Sequence, residues 1–286
     1  MSPTRAEWRQ VTARVASQRE HGFGHYWLDL EVPEEFSTPE PGQFVQILLD
    51  AGSCLLPRPM SVAGVKSGKR KTLGFLYAPV GIGTRALAAL GPGEELSALG
   101  PLGRGFPLER PGTPVLVAGG RGVAPLLFAA SRLGALGRKA EFVFGARDRK
   151  HLVAAEDAAK TIKRLGGRLH LCTDDGSRGT CGTVLDVLAR IAPDGACVIH
   201  ACGPHAMLKA VARWAMARGV EAWLAMESVM ACGTGVCRGC PMPRSERGRQ
   251  AFSPGAPSLL GNREFAMCCT EGPVFEAREL DWERIH

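Results

Sequence analysis

The 286-residue sequence reads as a small antiparallel β-barrel, then a doubly wound α/β domain, then a cysteine-rich lobe. Three observations lead there. Residues 8–110 hold short strand-like runs broken by Gly and Pro, with few helical periods. From residue 112 the pattern changes to alternating strands and helices, which requires a parallel sheet covered on both faces. Beyond residue 226, Cys232, Cys237 and Cys240 stand at C-x4-C-x2-C spacing. The expected divisions are residues 1–110, 111–225 and 226–286.

In the first division, residues 44–49 and 73–77 are strand-like, and Pro41-Gly42 and Gly91-Pro92-Gly93 are turns. Arg58-Pro59-Met60-Ser61 combines forked donors, a rigid turn and a hydroxyl. That combination suits the phosphate and ring edge of a flavin, because Arg binds anions with two parallel N–H groups. Val80-Gly81-Ile82-Gly83-Thr84 could open a helix onto a phosphate. Either stretch taken alone is more often an ordinary turn.

In the second division, residues 114–118, 140–145, 168–173, 196–201 and 220–226 are apolar runs of strand length. Between them lie helical periods, such as residues 206–218 with Met207, Val211 and Trp214 at i, i+4 and i+7. Gly119-Gly120-Arg121-Gly122 occupies the first strand-to-helix turn, where a nucleotide diphosphate meets a helix N-terminus. Pro125 stands where the third glycine of a dinucleotide fingerprint would be. Asp174-Asp175-Gly176-Ser177 and Cys202-Gly203-Pro204 mark two further strand ends, and ligands in such sheets bind outside those ends. Cys202 reads equally as a small residue under a nicotinamide and as plain core. His200 and His205 read as structural, and Cys54, Cys172, Cys181 and Cys197 as core or surface thiols with no assigned chemistry.

The cysteine loop carries the most specific chemistry. Plant-type [2Fe–2S] clusters are held at this spacing, with a fourth thiolate further along the chain. The loop must turn its amides toward sulfur, so Gly233, Gly235 and Gly239 are expected where backbone proximity and positive φ are needed. Zinc would want two C-x2-C knuckles, and only Cys237/Cys240 makes one. The Cys268-Cys269 pair follows further on as a candidate for the fourth thiolate, and in an extended segment only one of the two can face the loop. Residues 241–265, rich in Pro, Arg, Ser and Gly, are expected to be loop.

Composition sets the remaining bounds. Hydrophobic content of 45% and charged content of 22% fit a globular chain with a substantial core. The formal charge of +7 is dispersed and aromatics make up 6%, so no basic, stacking nucleic-acid surface is expected. No apolar run nears the roughly 18 residues of a membrane span, and no signal peptide is apparent. Ten cysteines without an export signal point to reduced thiols, metal chemistry and a cytoplasmic protein.

Together these segments resemble the electron-transfer subunit of class 1B dihydroorotate dehydrogenase, within the ferredoxin-reductase superfamily. The likeness covers nearly the whole chain. It rests on Pro41-Gly42-Gln43-Phe44, Arg58-Pro59-Met60-Ser61, Gly83-Thr84, Gly100-Pro101-Leu102-Gly103, Gly119-Gly120-Arg121-Gly122 with Pro125, Cys202-Gly203-Pro204, the 232–240 loop and Gly272-Pro273-Val274-Phe275. The resemblance implies FAD on Arg58, Pro59, Met60, Ser61, Leu76, Tyr77, Ala78, Gly83 and Thr84. It implies NAD beside Gly119, Gly120, Gly122, Asp174, Cys202, Gly203 and Pro204. It implies a [2Fe–2S] cluster on Cys232, Cys237, Cys240 and Cys269, the last selected by its distance from Glu271. It also implies a catalytic partner subunit carrying FMN, two copies of each chain in the assembly, and electrons passing through the cluster and FAD to NAD+ in pyrimidine biosynthesis.

Two other readings stay open: an NAD(P)H/FAD/[2Fe–2S] subunit of a hydrogenase, sulfite reductase or transhydrogenase, and a zinc-binding interaction module. Asp148, after the second strand of the α/β domain, could accept from a ribose 2′-OH and favour NADH. Arg147 and Arg149 beside it could instead hold a 2′-phosphate.

Overall fold

The computed structural model describes residues 7–49, 54–191, 197–252 and 262–285. In chain order the first region contains β1 (Arg9–Glu20), β2 (Tyr26–Val32), β3 (Phe44–Leu48), β4 (Arg58–Ser61), β5 (Gly64–Lys66), β6 (Lys71–Tyr77), α1 (Ile82–Ala89) and β7 (Glu95–Leu102). Its strands pair antiparallel in the order β4-β3-β7-β1-β2-β6-β5. Alternate residues turn inward: Ala13 and Val15, Leu28 and Leu30, Val45 and Ile47, Leu73, Phe75 and Tyr77, closing over Phe36 and Leu87. The same alternation sends Leu76 outward, into a core shared with α2 of the next region.

That next region contains β8 (Thr113–Gly119), α2 (Val123–Ala135), β9 (Glu141–Ala146), α3 (Ala155–Arg164), β10 (Arg168–Thr173), β11 (Thr180–Cys181), α4 (Val184–Ile191), β12 (Cys197–Cys202), α5 (His205–Ala217) and β13 (Glu221–Ala225). Beyond it lie β14 (Pro241–Pro243), α6 (Glu246–Gln250), β15 (Phe265–Met267), α7 (Cys268–Glu271) and β16 (Val274–Glu276). The second sheet runs β11-β10-β9-β8-β12-β13-β16, parallel except for β16. β8 is buried from Pro114 to Gly119 because both its faces are covered. Val115 and Val117 pack with α4 and α5 residues, whereas Leu116 and Ala118 pack under α2.

The fold class therefore agrees with the expectation, and differences lie at the margins. The expected strands match β8, β9, β10, β12 and β13 to within a residue or so, though residue 196 lies outside the described residues. β11 and β16 were not foreseen, being too short to carry a period. Residues 241–265 are not simply loop. Pro241–Pro243 forms an antiparallel ribbon with Phe265–Met267, and Ser245 accepts from Gly248 N–H to cap α6. The buried Arg244–Glu271 ion pair ties the two ends of this excursion together. Residues 253–261 lie outside the described residues. No helix among the described residues is long and apolar enough to cross a membrane.

One residue fastens the barrel to both later elements. Arg104, just past β7, donates its backbone N–H to Gly272 O at 2.5 Å and its Nε–H to Val274 O at 2.9 Å. Its Nη2 bonds Glu279 at 3.0 Å, and the guanidinium lies 5.1 Å from the Trp223 ring. Gly103 at φ +77° allows this approach: a Cβ there would stand 2.5 Å from Pro273 Cδ. Arg104→Ala should lower stability by about 2–3 kcal/mol, since it strips a charged donor from a buried carbonyl. Arg104→Lys should recover little, having no planar fork. Thermal unfolding of the two variants beside the parent checks this.

Candidate functional site

A cleft of ≈ 280 Å³ opens where the barrel, the carboxyl ends of the parallel strands and the cysteine-bearing segment meet. Its barrel wall holds Phe44, Pro59, Met60, Ser61, Leu76, Tyr77, Ala78, Val80 and Thr84. Arg121 and Ala124 enter from the start of α2, and Met226, Glu227, Ser228, Met230 and Pro273 close the third side. β4 and β6 end at this rim, so residues from both faces of their ends, inward Met60 and Tyr77 as well as outward Leu76, border the cleft.

Local bonding holds the wall in place. Tyr77 O–H donates to Gln18 Oε1 at 2.8 Å, and Tyr77 stacks on Tyr26 with centroids 5.8 Å apart. Burial, then the neighbouring Tyr26, pushes the Tyr77 hydroxyl upward, so it remains a protonated donor. Gln18 Nε2 donates in turn to Leu87 O, Ala88 O and Leu90 O, satisfying carbonyls at the end of α1. At the other end of α1, Gly81 N–H donates to Thr84 Oγ1 at 3.0 Å.

Not every expected residue lines this cleft. Arg58 turns back, donating to Leu56 O at 2.7 Å and Pro57 O at 3.1 Å, and Gly83 packs against it. Gly119, Gly122 and Gly203 serve as contact points between two strand ends. A Cβ on Gly122 would lie 2.1 Å from Cys202 O, and one on Gly119 would lie 2.7 Å from Pro204 Cδ. Gly120 makes the turn at φ +52°. Pro125 falls in the first turn of α2, where its missing N–H has no helical partner to lose. Cys202 is buried, and burial pushes its thiol upward, which makes it a packed neutral side chain. Asp174 is exposed beyond β10, away from the cleft.

Val80, Arg121 and Ala124 fell inside or beside expected motifs without being singled out themselves, and sequence reasoning did not assign Phe44, Met226, Glu227, Ser228, Met230 or Pro273 to the site. Met226-Glu227-Ser228 opens the same stretch as the cysteines, and that adjacency is the signal that could have found it.

The cysteine loop lies against the same wall. Cys232 Sγ and Cys237 Sγ are 3.3 Å apart. Thr234 N and Cys237 N donate to Cys232 Sγ at 3.4 and 3.5 Å, and Gly239 N donates to Cys237 Sγ at 3.4 Å. Gly233 and Gly235 have φ of +74° and +87°, as the inward-turned amides require. Gly239 does not have positive φ; the third left-handed residue is Arg238 at φ +56°. Cys240 immediately precedes β14, which pairs with β15, and Cys269 N donates to Cys240 Sγ at 3.4 Å.

Burial alone would raise the Cys232 thiol, but the Cys237 and Thr234 N–H groups outweigh it and bring it down to about 6. Cys240 is brought down to about 7, chiefly by the hydrogen bond from the Cys269 thiol, which holds the proton and is pushed upward. The four sulfurs thus form two pairs, Cys232/Cys237 toward solvent and Cys240/Cys269 toward the core. Among the described residues no three His, Cys, Asp or Glu side chains are gathered as for a single metal ion. All-sulfur donors in two pairs, with amides aimed at the sulfurs, fit a two-iron cluster. Two further buried polar groups stand nearby with no hydrogen-bond partner, the Gln46 amide and Thr270 Oγ1.

Cys268 behaves differently from Cys269. The pair is not extended: Cys268 opens α7, whose helical turn separates the two side chains. Cys268 Sγ donates to Met226 O at 3.8 Å, and burial pushes its thiol upward.

An antiparallel barrel, a nucleotide-type parallel sheet and a cleft at their junction define a ferredoxin-reductase-type oxidoreductase. The family model for the oxidoreductase NAD-binding domain matches residues 116–213. A dihydroorotate dehydrogenase B (NAD+) electron transfer subunit from Listeria monocytogenes is 34% identical over 274 residues, 95% of this chain and 98% of the relative. The subunit of the same name from Bacillus caldolyticus is 35% identical over 270 residues, 93% and 96% of the two chains. Among solved structures, an NADH-dependent reduced ferredoxin-NADP oxidoreductase superposes with a TM-score of 0.78 at 25% identity, covering 99% of this chain and 92% of that one. This chain belongs to the family of dihydroorotate dehydrogenase B electron transfer subunits.

The cysteine geometry sets a test. Cys269→Ser should lose the cluster's visible absorption or bleach within minutes in air, because a hard hydroxyl replaces a soft thiolate. Cys268→Ser should retain both the absorption and the reduced-state EPR signal. The opposite pattern would place the fourth ligand one residue earlier.

Proposed function

We propose that this chain binds FAD, one [2Fe–2S] cluster and NAD(H), and carries electrons from the FMN of a dihydroorotate-oxidising partner subunit to NAD+. One observation carries the reading. Met226 and Met230 line the cleft and also belong to the apolar core that holds Cys240, Cys268 and Cys269. The flavin wall and the cysteine loop therefore share one partition, and groups held on its two sides would stand close together.

When bound, FAD and the cluster supply the electron-carrying chemistry, the protein supplying orientation, burial and hydrogen bonds. In this reading residues 1–110 hold FAD through Pro59, Met60, Ser61, Leu76, Tyr77, Ala78 and Thr84, with Arg58 and Gly83 shaping the turn behind them. Residues 111–225 receive NAD at Gly119, Gly120, Gly122 and the Cys202-Gly203-Pro204 turn, with Asp174 at the outer rim. Residues 226–286 hold the cluster through Cys232, Cys237, Cys240 and Cys269. No catalytic acid or base is required. Tyr77, kept protonated, can donate but not abstract, and the apolar wall of Phe44, Met226 and Met230 limits water. Val229 and Val236, 80% and 82% exposed, flank the outward cysteine pair, which supports an approach of the partner from that side.

A second reading, an NAD(P)H-linked reductase subunit of another complex, draws on the ferredoxin-NADP oxidoreductase that superposes over 99% of the chain. Co-purification separates the two. Isolated anaerobically, the chain should carry one FAD with iron and acid-labile sulfide in equal amounts, and should bring down a dihydroorotate-oxidising FMN subunit. Stoichiometric zinc without sulfide would end the cluster assignment.

Nucleotide choice follows from charge. Asp148 Oδ1 accepts from His151 Nδ1 at 2.7 Å and from Lys150 N at 2.8 Å. The His151 hydrogen bond foremost holds the Asp148 carboxyl below its usual range, so it is anionic at neutral pH and opposes a 2′-phosphate. Diaphorase assays should show a higher kcat/KM for NADH than for NADPH. Asp148→Ser, leaving Arg147 and Arg149, should narrow that ratio by on the order of tenfold, the scale of one exposed charge pair at contact.

A further inference from the structure

Gln46, like His200, is a fully buried polar side chain with no partner on either of its polar atoms, and of the two it is the one beside the cysteine loop. It lies mid-way along β3, paired with Pro59 of β4 and Leu99 of β7, and is fully buried. Neither Nε2 nor Oε1 has a hydrogen-bond partner. Native proteins rarely leave a whole carboxamide unpaired, because each buried unpaired donor or acceptor is destabilising. An apolar residue of the same size would be favoured here unless the amide meets something that the polypeptide does not supply.

The direction of the side chain narrows what that is. Val45 and Ile47 point into the barrel core, so Phe44 and Gln46 point to the opposite face. Phe44 on that face packs in the core containing Met226, Met230, Cys240 and Cys269. Gln46 reaches the cysteine loop itself. A Cβ at Gly233 would stand 2.8 Å from Gln46 Cγ and 3.0 Å from Gln46 Nε2. Gly233 directly follows Cys232, whose sulfur already draws in the Thr234 and Cys237 amides. Gln46 is not among the residues lining the flavin cleft; the element it meets is the cysteine loop.

We propose that Gln46 is a redox-tuning residue: its Nε2–H donates a hydrogen bond to a sulfur of the [2Fe–2S] cluster, from the barrel side. The inference rests on the cluster reading above. No protein bond fixes the orientation of the carboxamide, so it can turn its N–H toward sulfur. Reduction adds negative charge to the cluster, and a donor to sulfur stabilises the charged form more. Hydrogen bonds to the sulfurs thereby raise the potential of such clusters. The donor also comes from the element whose next strand, β4, carries Pro59, Met60 and Ser61 of the cleft wall, so one ladder sets the position of both redox groups.

The test is an EPR-monitored redox titration of the full chain, isolated anaerobically, with Gln46→Met and Gln46→Asn beside the parent. Met keeps length and burial without a donor; Asn keeps the amide but withdraws it from the loop. Both variants should retain the cluster, and both should show a midpoint shifted to more negative potential. Resonance Raman of the oxidised cluster should show altered Fe–S stretching bands in each. An unchanged midpoint in the cluster-bearing variants overturns the proposal, and a rise in thermal midpoint for Gln46→Met would accompany that result, since an idle buried amide only destabilises. Absence of sulfide and of the reduced-state EPR signal from the parent chain itself would overturn the cluster reading, and this inference with it.

Discussion

The close seat of the cysteine loop on the barrel is the constraint around which the rest is arranged. Gly233 approaches β3 and β7 so nearly that a single methyl would strike Gln46 Cγ at 2.8 Å and Leu102 Cδ1 at 2.9 Å. Its left-handed backbone turns the following amides inward, and two of them reach Cys232 Sγ. A loop held by its own sulfur contacts alone would have no fixed relation to the flavin-type wall. Seated on β3, it inherits the rigidity of a sheet whose other face is the barrel core.

The same economy governs how the three regions are joined. Arg104 leaves the barrel and bonds Gly272, Val274 and Glu279, so the return of the chain after Cys269 is fixed by the barrel as well as by β13. Arg244 and Glu271 close the excursion between Cys240 and Cys269 from within. A buried pair of this kind is weak evidence for net stability, since desolvation offsets much of its attraction. Its geometry nonetheless requires the two ends of the excursion to meet. The ribbon of Pro241–Pro243 with Phe265–Met267 then brings Cys269 to Cys240 across almost thirty intervening residues.

Much of the site was legible because its signals are local. Cysteine spacing, a proline turn after an arginine and glycines at strand ends each reflect a backbone requirement met within a few residues. The less legible parts are those where a residue serves two structures at once. Arg58 stood out as an anion binder, and its Nε and Nη2 also brace the local turn through Pro57 O and Leu56 O. The glycines at 119 and 122 matched a phosphate loop, and their tight contacts turn out to be with Pro204 and Cys202. Met226 and Met230 carry no motif at all, and only packing reveals them as the wall between cleft and cysteines.

The amino-acid sequence by itself determined the order of barrel, parallel sheet and cysteine lobe, the C-x4-C-x2-C spacing of one loop, and the family. Period, turn chemistry and ligand spacing act over short chain distances, so they survive without coordinates. Tertiary structure decided which neighbour of the Cys268-Cys269 pair faces the loop, which strand-end glycines also touch the neighbouring strand's turn, and that Gln46 sits buried and unpaired beside Gly233. These depend on separations of tens to hundreds of residues along the chain, set by how β3, α7 and the cysteine loop pack together. A period-two pattern assigns Gln46 to the face opposite Val45 and Ile47, but only packing shows that this face is dry.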